Sequence, residues 1–396
     1  MHGQVLILAI AQALFQTAST LVVTVGALAG AQTARAPGLA TAPIASMFLG
    51  TTIATVPASL WMAARGRRSG FVGGALVGAL GALTASAGIA LDSLLVLSLG
   101  TLLVGAYQGT AQFYRFAASE VADDAFRPRA ISLVLAGGVA AALLGPALGK
   151  LGATLLEPRY AGSFLLLVLT SLLAAGLLFG VRAPMRKLDQ SAGEPRRLSV
   201  ILRQPTYAVA LFAAATGAGV MVLAMTATPL AMRHDHHGLD ATTLVIQLHV
   251  LGMFLPSFFT GTLIAKFGIL RIMSAGLVLL AGHITLSLAG QGFVSFASAL
   301  VLLGVGWNFL YVGGTTLLTE SYFPAERGRA QAANDLCVFL VGLLSSLCAG
   351  PLLEAFRWRL MNALMLPWLL VAAVALVWLG HARARSATEA VDRRQA

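Results

Sequence analysis

Apolar residues in this chain come in runs of about 18 or more, where a water-soluble helix would carry only a stripe on one face. Twelve such runs begin near residues 4, 40, 70, 93, 130, 160, 206, 241, 269, 293, 329 and 359. Each is long enough to cross a hydrocarbon core of ~30 Å as an α-helix. The pattern therefore predicts an all-α membrane protein with twelve transmembrane helices. The first run is too long for a signal-peptide core and no small-residue cleavage site closes it, so it reads as a retained span. The longest polar interruption, RAPMRKLDQSAGEPRRLSVILRQP at 182–205, divides the runs six and six. The expected organisation is an N-terminal bundle (1–181), a central loop (182–205), a C-terminal bundle (206–382) and a tail (383–396).

Composition sharpens this picture. Hydrophobic residues make up 58% and charged residues 10%, against roughly 25% charged in ordinary soluble domains. The net charge of +11 does not point to nucleic acid, because the basic residues sit singly or in small groups between apolar runs and form no solvated face. They report topology. With the N-terminus inside, nineteen of the 26 Lys and Arg fall on the inner side, six fall outside (Arg35, Lys150, Arg159, Arg233, Arg357, Arg359), and Arg115 lies within a span. The positive-inside rule thus places both termini in the cytoplasm. The two cysteines, Cys337 and Cys348, share one run; at eleven residues apart on a helix they stand ~16 Å from each other, too far for a disulfide.

The halves look like copies. An offset of 200 residues sets TLLVGAYQGTAQFYRFAASEVADDAFRPRA (101–130) on VLLGVGWNFLYVGGTTLLTESYFPAERGRA (301–330). Glu120 meets Glu320, Arg127 meets Arg327 and Arg129 meets Arg329, as a Glu followed by Arg-x-Arg-Ala at the same point of runs four and ten. Parallel six-helix repeats around a long basic loop mark the major facilitator transporters, and the chain resembles that superfamily along its whole length. The segment GTLIAKFGILR (261–271) is similar to the family's Gly-x-Leu-x-Asp-Arg-x-Gly-Arg loop, and SLWMAARGRR (59–68) to its counterpart after helix 2. Both lack the family's Asp, with Ala265 and Ala63 in its place, so a gate has to rely on other pairs. GPALG (145–149) is similar to a second family signature. The resemblance implies two pseudo-symmetric bundles, alternating access, and a substrate near the midplane between the halves.

Soft residues inside the spans then attract notice. Met221 and Met225 on helix 7, and His249 and Met253 on helix 8, are each spaced i, i+4, which puts the members of a pair on one helical face. Helix 7 runs outward and helix 8 inward, which places the first pair ~9–15 Å and the second ~12–18 Å below the outer surface. Thioethers with an imidazole favour monovalent copper over oxygen-seeking Mg or Ca. These four residues look like those of the CcoA-type copper importers, a bacterial branch of the superfamily that feeds cytochrome oxidase assembly. The implied partners are a copper ion as cargo and the lipid bilayer of the bacterial inner membrane, with no organic cofactor and the chain acting as a monomer. Met361 and Met365 repeat the spacing on helix 12, where a lipid-facing position is expected.

Further candidates surround this group. The knot MRHDHHG (232–238) offers His234, His236 and His237 as a capture point in the outer loop, or as solvated surface. Arg115 and Asp335 are each costly alone in lipid, so partners are expected: one another, or Glu120 for Arg115. Glu120 with Arg127 and Arg129, and Glu320 with Arg327 and Arg329, are candidate inner-gate groups. Tyr107, Gln108, Trp307 and Asn308 are candidate cavity lining. One alternative stays open, a carrier of a small organic compound such as a vitamin or a drug, because Gln12, Gln16, Tyr107, Gln108, Gln112 and Tyr114 could line a polar pocket. No nucleophile, base and orienting partner fall together, so catalysis is not expected.

Overall fold

A computed structural model describes residues 2–122, 127–182, 196–323 and 326–395. It is helical throughout, in the order α1 (His2–Thr33), α2 (Ala42–Arg65), α3 (Arg67–Ala90), α4 (Leu94–Ala111), α5 (Tyr114–Val121), α6 (Arg127–Gly152), α7 (Ala161–Leu178), α8 (Leu198–Leu202), α9 (Pro205–His234), α10 (Leu239–Phe254), α11 (Ser257–Phe267), α12 (Ile269–Ala289), α13 (Phe293–Thr319), α14 (Arg327–Ala363) and α15 (Leu366–Gln395). Among the described residues nine stretches are long and apolar enough to cross a membrane, one of them, Arg329–Arg385, taking in both α14 and α15. The pair α10 and α11, bent by 43°, forms a further span, and α6 adds a shorter apolar run at Ala136–Gly152. Together these account for the twelve expected passes.

Neighbour relations repeat between the halves. In the first, α4 packs on α3 and α2, α6 on α1, and α7 on α3 and α1; in the second, α13 packs on α12 and α10, α14 on α9, and α15 on α12 and α9. Contacts across the halves obey the same symmetry, because α6 with α10 becomes α14 with α2 when the halves are exchanged. Gly50 and Gly105 bring α2 against α4, and Gly252 and Gly304 bring α10 against α13, each glycine facing backbone of its neighbour where a Cβ would collide.

Polar contacts sort the bundle into two faces. On one, the Gln4 amide donates to the Gly180 carbonyl and its oxygen accepts from the Arg182 N–H, Arg68 lies over Phe179, and Arg383 in the C-terminal half of α15 pairs with Glu320 at 2.7 Å. The starts of α6 and α14 belong to this face, as does the end of the central loop. On the other, Lys150 at the end of α6 pairs with Asp240 at the start of α10 at 2.6 Å, and the Gly350 N–H donates to Thr41 Oγ1 at 3.2 Å. Both contacts on this second face tie one half to the other.

One expectation needs correction here. The backbone breaks at Arg357, whose φ of 55° is non-helical, and helix resumes at Trp358, close to the expected start near 359, and leads on into α15. Met361 and Met365 thus lie in the first turns after the break, and both are buried in the C-terminal core with Trp358 instead of facing lipid.

Candidate functional site

The central cavity lies between the halves, with a volume of about 240 Å³. That is about twenty times the ~10–15 Å³ one water needs, far more room than a bare ion takes. The first half contributes Gln12 and Gln16 from α1, and Gln108, Gln112 and Arg115 from the α4–α5 region. The second half contributes Met221 and Met225 from α9, Met253 and Phe254 from α10, and Trp307 and Tyr311 from α13. The amides and the guanidinium thus come from the first half, beside Met47 and Phe48 of α2, and the second half adds thioethers and larger aromatic rings. Trp307 and Tyr311, one turn apart on α13, stack with centroids 4.8 Å apart and planes at 13°. Phe254 meets Trp307 edge-on at 6.4 Å.

Of the four expected copper ligands, the structure brings three to this cavity. Met221, Met225 and Met253 line the cavity, whereas His249 does not. Its ring is fully buried and turned toward α13, where Nδ1–H donates to the Leu300 carbonyl at 2.8 Å. The buried N–H takes the acceptor within reach, and that contact decides its rotamer over the i, i+4 relation to Met253. The imidazole is thus missing from the donor set.

The other candidates divide as well. Gln108 and Trp307 line the cavity; Tyr107 and Asn308, their sequence neighbours, do not. Tyr107 lies over Gly78 and packs edge-on against Phe15, and Tyr114 does the same against Phe71. The cause is register. Gly105 and Gly304 occupy matching close approaches, and so do Leu102 and Val301; both pairs differ by 199, so the outer part of α4 matches α13 at an offset one less than the Glu120/Glu320 offset of 200. One residue is about 100° around a helix, which turns residue 107 away from the face that residue 307 occupies.

Asn308 has a different task. Pro256 lacks an N–H and breaks the helical ladder between α10 and α11. The Asn308 amide donates to the Met253 carbonyl at 2.7 Å and to Ser257 Oγ at 2.6 Å, while its oxygen accepts from Thr260 Oγ1 at 2.7 Å. It satisfies polar groups that the break exposes, as a lipid-embedded chain requires.

The expected charge pairs are also rearranged. Arg115 Nη1 donates to Tyr311 Oη at 3.2 Å and its guanidinium lies over Phe116; no ion pair joins it to Asp335, which accepts from Asn334. Glu120 pairs with Arg67 at 2.7 Å. Glu320 pairs with Arg383, and Arg329 is exposed. The side chains of the candidate gate arginines Arg127, Arg129 and Arg327 lie outside the described residues. Among the described residues, the ion pairs on the face that carries the chain termini do not join one bundle to the other.

The histidine knot diverges instead of converging. His234 Nε2 contacts Arg357, His237 Nε2–H donates to the Gln291 carbonyl at 2.8 Å, and His236 is exposed at a positive φ of 60°. Among the described residues no group of three or more His, Cys, Asp or Glu is placed to hold a metal. Cys348 is exposed and Cys337 partly buried, both without a partner cysteine.

The family model of the Major Facilitator Superfamily matches residues 8–255 and 209–395. The chain belongs to the major facilitator superfamily. It is therefore a multi-pass membrane transporter, not one of the soluble classes its charge might have suggested. Over 376 residues this facilitator is 41% identical to the riboflavin transporter RfnT of Brucella anthropi, covering 94% of each chain. It is 31% identical to the uncharacterized MFS-type transporter YdeG of Bacillus subtilis, over 83% of this chain and 80% of that one. Solved structures with the same fold include a mutant form of the nucleoside transporter NupG (TM-score 0.73, 14% identity, covering 94% of this chain and 99% of that one). A bacterial homolog of the human lysosomal transporter Spinster, in an inward-facing and occupied conformation, aligns at TM-score 0.72 and 16% identity, covering 95% and 96%.

Proposed function

We propose that this facilitator carries riboflavin, or a closely related planar heterocycle, across the bacterial inner membrane by alternating access, with both termini in the cytoplasm. The observation that carries the reading is the chemistry of the cavity lining. Stacked Trp307 and Tyr311 offer an aromatic surface to a flat ring, and Gln12, Gln16, Gln108 and Gln112 face it with amides that both donate and accept. The relative at 41% identity, named a riboflavin transporter, supports the same choice. The organic-compound alternative thereby overtakes copper. Three thioethers on the wall still favour a soft cation as the second reading, but they lack the His249 imidazole, and the cavity is much larger than a bare ion needs.

Proteoliposomes decide between them. Radiolabelled riboflavin flux above that of empty liposomes, competed by unlabelled riboflavin, supports the reading. Flux of radioactive copper without riboflavin flux overturns it.

A further inference from the structure

Two polar atoms in the cavity wall are buried and unmet. Among the described residues, Gln108 Oε1 and Arg115 Nε have no hydrogen-bond partner, although both residues line the cavity. An unmet buried group of this kind is costly, so an occupant that satisfies both is favoured. The two requirements differ in sense: the Gln108 oxygen accepts and needs an N–H or O–H, while the Arg115 Nε–H donates and needs a carbonyl or an anion. Tyr311 connects this demand to the second half. Its hydroxyl accepts from Arg115, while its ring lies parallel to Trp307. The guanidinium and the aromatic wall therefore meet at Tyr311, within one cavity lining. Among the described residues no ion pair neutralises Arg115, so the wall also repels cations.

Resting on the reading of this chain as a heterocycle carrier, we infer that Gln108 and Arg115 read the rim of the ring. They select neutral or anionic oxo-heterocycles that carry a ring N–H together with a carbonyl, and reject planar cations and rings whose N–H is blocked. The flavin ring carries such an N–H between two carbonyls. Specificity thus comes from the α4–α5 wall, and stacking on α13 supplies affinity that is tolerant of ring identity.

Counterflow in proteoliposomes tests this with riboflavin, 3-methylriboflavin (the ring N–H replaced by N-methyl) and the planar tricyclic cation acriflavine. The wild-type protein is expected to prefer riboflavin over the methyl compound by roughly tenfold or more in kcat/KM, and to carry no acriflavine. Gln108→Leu should lower riboflavin transport and shrink the methyl discrimination to about twofold or less, because the unmet acceptor is gone. Gln108→Asn, which keeps the amide, should retain part of the preference, so a folding defect can be told from lost recognition. Arg115→Met should relax the rejection of acriflavine. Equal wild-type transport of riboflavin and 3-methylriboflavin, or acriflavine carried as well as riboflavin, overturns rim recognition and leaves the riboflavin reading standing. Absence of wild-type riboflavin flux overturns both.

Discussion

Arg115 Nη1 donates to Tyr311 Oη at 3.2 Å, a charge-assisted hydrogen bond that runs from the first half of the molecule to the second through the cavity wall. A bond to a charged donor is worth about 1.5–3 kcal/mol. Tyr311→Phe keeps the ring and its stack on Trp307 but removes the acceptor. Riboflavin flux is expected to fall by about tenfold to a hundredfold, with Arg115→Lys falling in between. Unchanged flux in Tyr311→Phe would show that the bond plays no part in transport.

The thioethers give a sharp contrast of readings. Met→Leu conserves volume and usually costs less than about 1.5 kcal/mol, so Met221→Leu, Met225→Leu and Met253→Leu should each keep most of the riboflavin flux. A soft-metal carrier would lose its cargo in each of them, since leucine has no donor. Uptake of both cargoes by the three variants settles which wall chemistry matters.

On the face opposite the termini, the approach of the two halves depends on a glycine. A Cβ at Gly350 would collide with the Gly38 backbone and Thr41 Oγ1. Gly350→Val should hold the halves apart there, slow transport by about tenfold and raise outside labelling of a cysteine placed at Ala34, in a background without Cys337 and Cys348. Labelling at the wild-type rate would show that this contact does not close the outer path.

Glu326 should set an acid limit to stability. Arg196 donates to both of its carboxylate oxygens, at 2.7 and 2.6 Å, and this pairing holds the carboxyl down at about 2 from an ordinary 4.5. Because the folded-state value lies below the unfolded one, the stabilisation is complete above pH ~4.5 and is lost as pH falls toward ~2. The difference in thermal midpoint between wild type and Glu326→Gln should hold constant from pH 7 to 5 and shrink below it. A difference independent of pH down to 3 would exclude the pair as its source.

Met361, buried in the core behind the α14 kink, behaves as packing. Met361→Ala should cost about 2–5 kcal/mol of stability, read as a lowered unfolding temperature. It is therefore no neutral control for the cavity methionines.

Apolar run length alone exposed the helices and the division into halves, because a membrane leaves a chain little choice but continuous helix. The repeat was legible too, through Glu120 and Glu320 with the arginines behind them. Orientation around each helix was not. The offset that aligned those glutamates misassigned Tyr107 by one residue, and no local signal marks where the register changes. His249 shows a second limit: its spacing to Met253 fixes a face of α10, but the Leu300 carbonyl that captures its ring belongs to a helix fifty residues away. Asn308 looked like cavity lining because the polar demand of the Pro256 break becomes visible only once α13 lies beside it. The copper reading gathered three of its four ligands and lost His249 for the same reason, since spacing within two helices carries no information about a third.

The broken helices place joints beside the cargo. The α4–α5 turn at Gln112 and Phe113 and the α10–α11 bend after Phe254 both sit next to residues that line the cavity. The segments beyond them, α5 and α11, are held by side chains of neighbouring helices, Glu120 by Arg67 and Ser257 with Thr260 by Asn308. Each half thus sets its cavity side chains at a helix break whose far side is anchored, so a change at α3 or α13 reaches the cargo without passing along a continuous helix.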